Sequence, residues 1–200
     1  MPRSLRSTPL CLALVAAGLA PAPVAAQDTP GLRFGIGYTA NAPEMLAGVS
    51  GFVILPAMGG IGLYLDAKVN PDSPRKDDTF LEGRTALQIE DEVPGVRFQD
   101  SKDSYRSFNA AVVRPVTPSL ILYAGAGISQ MTRYREYWDP DEAMGLAGFF
   151  WVVAPDEKST SLNGLAGAFL RISSLVSLQT GFETNPKGFT VGATLHLPRQ

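Results

Sequence analysis

The chain is poor in the groups that most often carry chemistry. Its 200 residues include one cysteine, Cys11, and one histidine, His196. Cys11 sits in a stretch with the marks of an export signal. Arg3 and Arg6 open it, an apolar run from Leu10 to Ala20 is broken only by Gly18, and Ala22-Pro-Val-Ala-Ala26 places small residues ahead of Gln27. Cleavage is expected after Ala26, giving a signal peptide at 1–26 and a mature domain at 27–200. Thr8-Pro9-Leu10 lacks the small residue expected before a lipidated cysteine. A mature chain without Cys11 has no thiol, which excludes disulfides and cysteine-based metal sites.

Long apolar runs are missing too. Leu10 to Ala20 falls well short of the roughly 20 residues of a helical membrane span. No segment of helical period is long enough to build a bundle. The formal net charge is -2 and no basic block occurs, which argues against nucleic acid as a partner.

What is present is a period of two. "LRFGIGYTA" (32–40) alternates Phe34, Ile36 and Tyr38 with Arg33, Gly35 and Gly37. "MLAGVSGFVIL" (45–55) is mostly apolar, and "GIGLYLDAKV" (60–69) opposes Leu63 and Leu65 to Tyr64, Asp66 and Lys68. The same alternation recurs in "YRSFNAAVV" (105–113), "SLILYAGAGISQ" (119–130), "SLNGLAGAFLRI" (161–172), "LVSLQTGFET" (175–184) and "GFTVGATLHL" (188–197). These segments predict eight strands. Their connections are "NAPE", "PAMGG", a polar stretch over 70–104, "PVTPS", a stretch over 132–158, "SS" and "NPKG". Both long connections are odd-numbered, so an up-and-down meander gathers them at one end, as in small transmembrane barrels.

Alternation alone does not say which face meets water. The mixed face is rich in glycine (Gly35, Gly37, Gly62, Gly125, Gly127, Gly167, Gly181, Gly192) with Tyr64, Tyr123 and Phe169 among them. Glycine weakens an exposed strand, but it makes room for bulky neighbours inside an eight-stranded barrel. The expected fold is therefore all-β: an eight-stranded antiparallel up-and-down transmembrane β-barrel with its leucine face toward lipid. Arg33, Asp66, Lys68, Arg171 and Glu183 then fall on the lumenal face. Both signs are present, and pairing is expected because unpaired buried charges are very costly.

By the pattern of "GIGLYLDAKV", "LVSLQTGFET" and "GFTVGATLHL", the stretch from Leu32 to Leu197 resembles the small outer-membrane barrels of the OmpA transmembrane domain, OmpX and OmpW. Chains of that kind usually end on an aromatic residue, whereas this one ends Pro198-Arg199-Gln200. The resemblance implies a place in the bacterial outer membrane, contact with its lipid, and handling by the barrel assembly machinery during biogenesis.

Catalytic and metal-binding patterns are weak. His196 has no serine two residues away and falls at the end of a strand descending toward the periplasm, where a lumenal hydrogen bond is expected. "DPDEA" (139–143) and "PRKDD" (74–78) lack the glycine turn and spacing of a calcium loop. No cofactor and no enzymatic activity are expected. The stretch 134–159 is more informative. Asp139 reads as a helix cap, with Pro140 at the first helical position and Asp141 and Glu142 in the first turn. "GLAGFFWVV" (145–153) is too apolar for a free loop. Trp138, Phe149, Phe150 and Trp151 are expected to form an interfacial segment or a lid over the barrel mouth. The functional expectation is a non-enzymatic platform presenting an extracellular ligand or protein surface on loops 70–104 and 132–158. The alternatives are a narrow channel or path for small hydrophobic molecules, and a soluble periplasmic ligand-binding barrel.

Overall fold

The computed structural model describes residues 33–70, 80–82, 84–93, 95–142 and 148–196. The expected signal peptide at 1–26 and the last residues, Leu197 to Gln200, lie outside them. The strands are β1 (Arg33–Ala42), β2 (Leu46–Ile54), β3 (Gly62–Val69), β4 (Phe80–Glu82), β5 (Arg97–Pro115), β6 (Leu120–Asp139), β7 (Gly148–Arg171), β8 (Val176–Thr184) and β9 (Lys187–His196). All but β4 form a closed antiparallel ring in the order β7-β6-β5-β3-β2-β1-β9-β8, which returns to β7. Closure leaves no unpaired edge, as a strand-built membrane span requires. The ring holds the eight expected strands, and β4 adds to the flank of β7 in parallel, pairing with 151–153.

The two faces are segregated as an inverted barrel. Leu63 is 47% exposed, and its neighbour Tyr64 is 0% exposed. Ile36, Val49, Leu122, Leu178, Val191 and Leu195 share the outward face. Inward stand Asp66, Lys68, Asn109, Asn163, Gln179 and Glu183, all buried. A protein in water pairs apolar burial with polar exposure, because each buried apolar Å² contributes about 25 cal/mol. Here apolar side chains cover the outside while charged and polar ones stand inside with a cluster of aromatic rings, the arrangement of a transmembrane β-barrel.

The interior is packed. Phe52, Ile54, Tyr64, Tyr123, Leu165 and Phe169 belong to one buried cluster toward the end with the short turns. Tyr64 and Tyr123 stack with ring centroids 4.8 Å apart, and Phe169 leans on both. The mixed-face glycines make this possible. A Cβ at Gly167 or Gly181 would run into the Tyr123 hydroxyl, so these two absences of a side chain make the slot for that ring.

Three strands are longer than their sequence pattern announced. β5, β6 and β7 run 19, 20 and 24 residues, against the roughly 9–11 residues of a spanning strand. The expected connection at 132–158 is therefore mostly a continuing β6–β7 hairpin. The expected helix from Asp139 does not form; Asp139 pairs with Gly148 as the last residue of β6. Cross-strand pairing of the apolar 148–153 with 134–139 satisfies the backbone there, so the cap-like Asp139-Pro140 ends a strand instead. A helix, α1 (Ala86–Glu92), forms instead within 70–104.

Candidate functional site

Two constellations stand out: a charged network inside the ring and a small folded cap at the long-hairpin end. The network begins on β3, whose alternation sends Tyr64, Asp66 and Lys68 inward together. Lys68 Nζ donates to Asp66 Oδ2 at 2.8 Å and also to Glu183 Oε1 on β8. Asp66 further accepts from Tyr64 Oη and from Asn109 Nδ2, each at 2.8 Å. Glu183 further accepts from Thr190 Oγ1 at 2.8 Å and Asn163 Nδ2 at 3.1 Å. Gln179 extends the network by donating to Tyr64 Oη at 2.6 Å and to Tyr123 Oη at 3.2 Å. Each carboxylate thus has three donors, and the one ammonium lies between them. That satisfaction offsets the desolvation of charges whose side chains are at most 2% exposed.

Of the five charged residues expected on the lumenal face, the structure brings together Asp66, Lys68 and Glu183. Arg171 instead donates to the backbone carbonyls of Ser173 and Ser174 at the β7–β8 turn. Arg33 begins β1 at the same end of the barrel. His196 lies there too, with its Nε2 2.6 Å from Ser177 Oγ and its ring edge-on to Phe52. The β8–β9 pairing creates this contact across 19 residues of sequence. Ser177 is fully buried. A nucleophile needs an approachable oxygen and an oriented base, so the pair reads as a hydrogen bond closing the lower rim.

The cap is built on the β6–β7 hairpin. Tyr137, Phe150 and Val152 are buried against Ile89 of α1, with Val96 alongside. Tyr137 has the same strand parity as lumenal Tyr123, so α1 packs on the face continuous with the barrel interior. Phe98 meets Tyr137 edge-on at 5.9 Å, and Arg135 lies 6.0 Å over the Phe98 ring. Arg135 also pairs with Glu157, while Arg133 makes a two-point contact with Asp103 at 2.7 and 2.9 Å.

Trp138, Phe149 and Trp151 take the opposite face, and Trp138 and Phe149 touch with centroids 4.6 Å apart. Phe149 is 56% exposed, whereas Phe150 is 0% exposed. The four expected aromatic residues are thereby divided: Phe150 goes into the cap's core and the other three go outside it. Trp138 stands ten residues beyond Ile128 on β6, about 30 Å along the strand. The outer aromatics are therefore held clear of the apolar band.

No family model and no curated protein matches the chain. Among solved structures it is similar to Ail, the attachment invasion locus protein of Yersinia pestis, in complex with the heparin analogue sucrose octasulfate. Identity is 12% over 83% of this chain and 97% of that one, with a TM-score of 0.48. It is also similar to a de novo designed transmembrane β-barrel, at 16% identity over 86% and 100% of the two chains and a TM-score of 0.40. Neisserial surface protein A (NspA) is similar at 12% identity over 83% and 94%, with a TM-score of 0.31. What is shared at this distance is the barrel alone.

The sequence did carry a signal for α1. Thr85-Ala-Leu-Gln88 has the spacing of a capping box, and both of its hydrogen bonds form: Gln88 N to Thr85 Oγ1 at 3.2 Å and Thr85 N to Gln88 Oε1 at 2.8 Å. What the helix packs against was not readable, because Tyr137 and Phe150 are far away in sequence.

The cap makes a pH prediction. Tyr137 Oη donates to Glu90 Oε1 at 2.9 Å. Burial first, and then that carboxylate, push the phenol up to about 12 from its ordinary 10. A raised acid pKa favours the folded form while the phenol stays protonated. The contribution is therefore whole below pH 10 and falls as pH rises from 10 toward about 12. The phenolate absorbance lost in Tyr137→Phe should accordingly titrate near 12; a midpoint near 10 would show that the contact does not form.

Proposed function

We propose that this chain is an exported outer-membrane barrel without catalytic machinery, acting as a platform. It would cross the membrane with the eight ring strands and hold the cap clear of the lipid. The surface offered to an extracellular ligand or protein would then come from 70–104 and 132–158. The observation that carries this reading is the continuation of β6 and β7 far past the apolar band into a hairpin with its own buried core. A loop serving only as a turn has no need of Tyr137, Phe150 and Ile89 packed together, since ordering those residues costs conformational entropy. The export signal at 1–26 and insertion by the barrel assembly machinery belong to the same proposal.

The competing transport reading requires an open path along the lumen. Tyr64, Lys68, Asn109, Asn163, Gln179 and Glu183 reach one another across it. Purified protein in planar bilayers is accordingly expected to give no unitary current over long recordings. A reproducible open level from folded protein would replace the platform with a channel.

A further inference from the structure

We propose that the outward surface of β5, β6 and β7, just past the apolar band, binds a phosphate-bearing lipid headgroup. The inference rests on the membrane reading above and adds a ligand class to it.

The register sets out the rows of this surface. Phe108, Ile128 and Leu162 stand side by side on the outward face and are all exposed. One step up, about 7 Å along the strands, the row is Arg106, Gln130 and Thr160. The next row is Ser104, Thr132 and Lys158. Hydrocarbon-facing residues thus give way to basic and hydroxyl residues within two rows, at the height where headgroups lie over the acyl chains.

A groove opens there. Arg106, Gln130, Thr132, Tyr134 and Lys158 line a cavity of about 460 Å³, with Ser104 buried in it. A register shift lies beside it: opposite Arg133, between the pairs Thr132–Lys158 and Tyr134–Val153, β7 carries the extra residues 154–157. Lys158 and Val153, the residues on either side of that extra stretch, both line the groove.

The electrostatics favour an anion. Arg106 and Lys158 are exposed, and neither makes an ion pair among the described residues. The acidic residues Asp103 and Glu157 are taken by Arg133 and Arg135. Arginine offers a planar fork to phosphate oxygens, lysine a point charge, and Thr132 and Gln130 add neutral donors. Tyr134 supplies the amphipathic ring that suits a membrane boundary. A free phosphate would meet the same cations. A lipid has the further advantage that Phe108, Ile128 and Leu162 contact its acyl chains while the headgroup sits in the groove.

The test uses full mature protein in phosphatidylcholine vesicles doped with spin-labelled lipid. Phosphatidic acid carrying the label is compared with phosphatidylcholine carrying it, and the motionally restricted component is measured. About fivefold preference for phosphatidic acid is expected at low salt, the size of one well-placed cation. Arg106→Gln with Lys158→Gln should bring the preference to parity and leave total restricted lipid unchanged. Arg84→Gln, on the cap, should change neither. Parity in the wild type alongside a normal restricted component would overturn the headgroup site and leave the membrane reading standing. Absence of any restricted component would overturn the membrane reading, and this inference with it. Added inorganic phosphate, at matched ionic strength, should leave the preference intact; if it abolishes the preference, the ligand is a soluble anion and the lipid assignment fails.

Discussion

Replacing Lys68 with methionine is expected to destabilise the folded barrel by about 3–5 kcal/mol, the cost of leaving a buried charge uncompensated. Methionine keeps most of the chain length and removes only the ammonium. Asp66 and Glu183 would then face each other across the lumen with no cation between them, among side chains that exclude water. Their remaining donors, Tyr64, Asn109, Asn163 and Thr190, are all neutral. Adding Glu183→Gln to Lys68→Met should recover part of the loss, because one of the two stranded carboxylates is gone. Urea unfolding of protein folded into phospholipid vesicles measures both changes. A loss below about 1 kcal/mol for Lys68→Met would mean that the ammonium is not what holds the two carboxylates.

Leu63→Arg is expected to cost about 2–4 kcal/mol in the same assay, the penalty for a cation on the lipid side near the bilayer midplane. Leu63 pairs with Val112, which pairs with Ala124, in the middle of the outward apolar run on β6 from Leu120 to Ile128. It is half exposed in the isolated molecule. On a water-soluble surface such a substitution is usually within about 0.5 kcal/mol of neutral. The magnitude therefore separates a barrel bathed in hydrocarbon from one bathed in water. A near-neutral result would favour the soluble barrel.

The ring itself was legible in the sequence because its signal is local. Phe34, Ile36 and Tyr38 alternate with Gly35 and Gly37, and the structure puts the two sets on opposite faces as the pleat demands. The mixed-face glycines are legible as space for large rings, and Gly167 and Gly181 do serve Tyr123. The ends of β5, β6 and β7 were not legible. Past Ile128 the outward residues become Gln130 and Thr132, so alternation of polarity stops while the strand continues. Hydrogen bonding across the hairpin, which leaves no trace in hydropathy, carries it on.

The charged network was partly legible. Parity placed Asp66, Lys68, Glu183, Arg33 and Arg171 on one face, but parity gives no height along the barrel. Arg33 and Arg171 belong to the end with short turns, while Lys68 and Glu183 lie nearer the cap. The Ser177–His196 contact was hidden for a similar reason, since it depends on the β8–β9 register. The aromatic run at 149–151 is too apolar for a free loop on its sequence alone. Its division between Phe150 inside the cap and Phe149 and Trp151 outside follows from strand alternation, which a run of uniformly apolar residues from Phe149 to Val153 does not display.

The leucine-bearing exterior belongs in hydrocarbon. The most direct test is nitroxide accessibility in lipid vesicles, with single labels at Leu63, Leu122, Leu178 and Val191 and a reference label at Glu136 above the band. At the first four positions, collisions with oxygen should exceed those with a water-soluble nickel chelate, and the reverse should hold at Glu136. If the chelate reaches Leu63, Leu122, Leu178 and Val191 as freely as Glu136, the exterior is in water and the account is wrong.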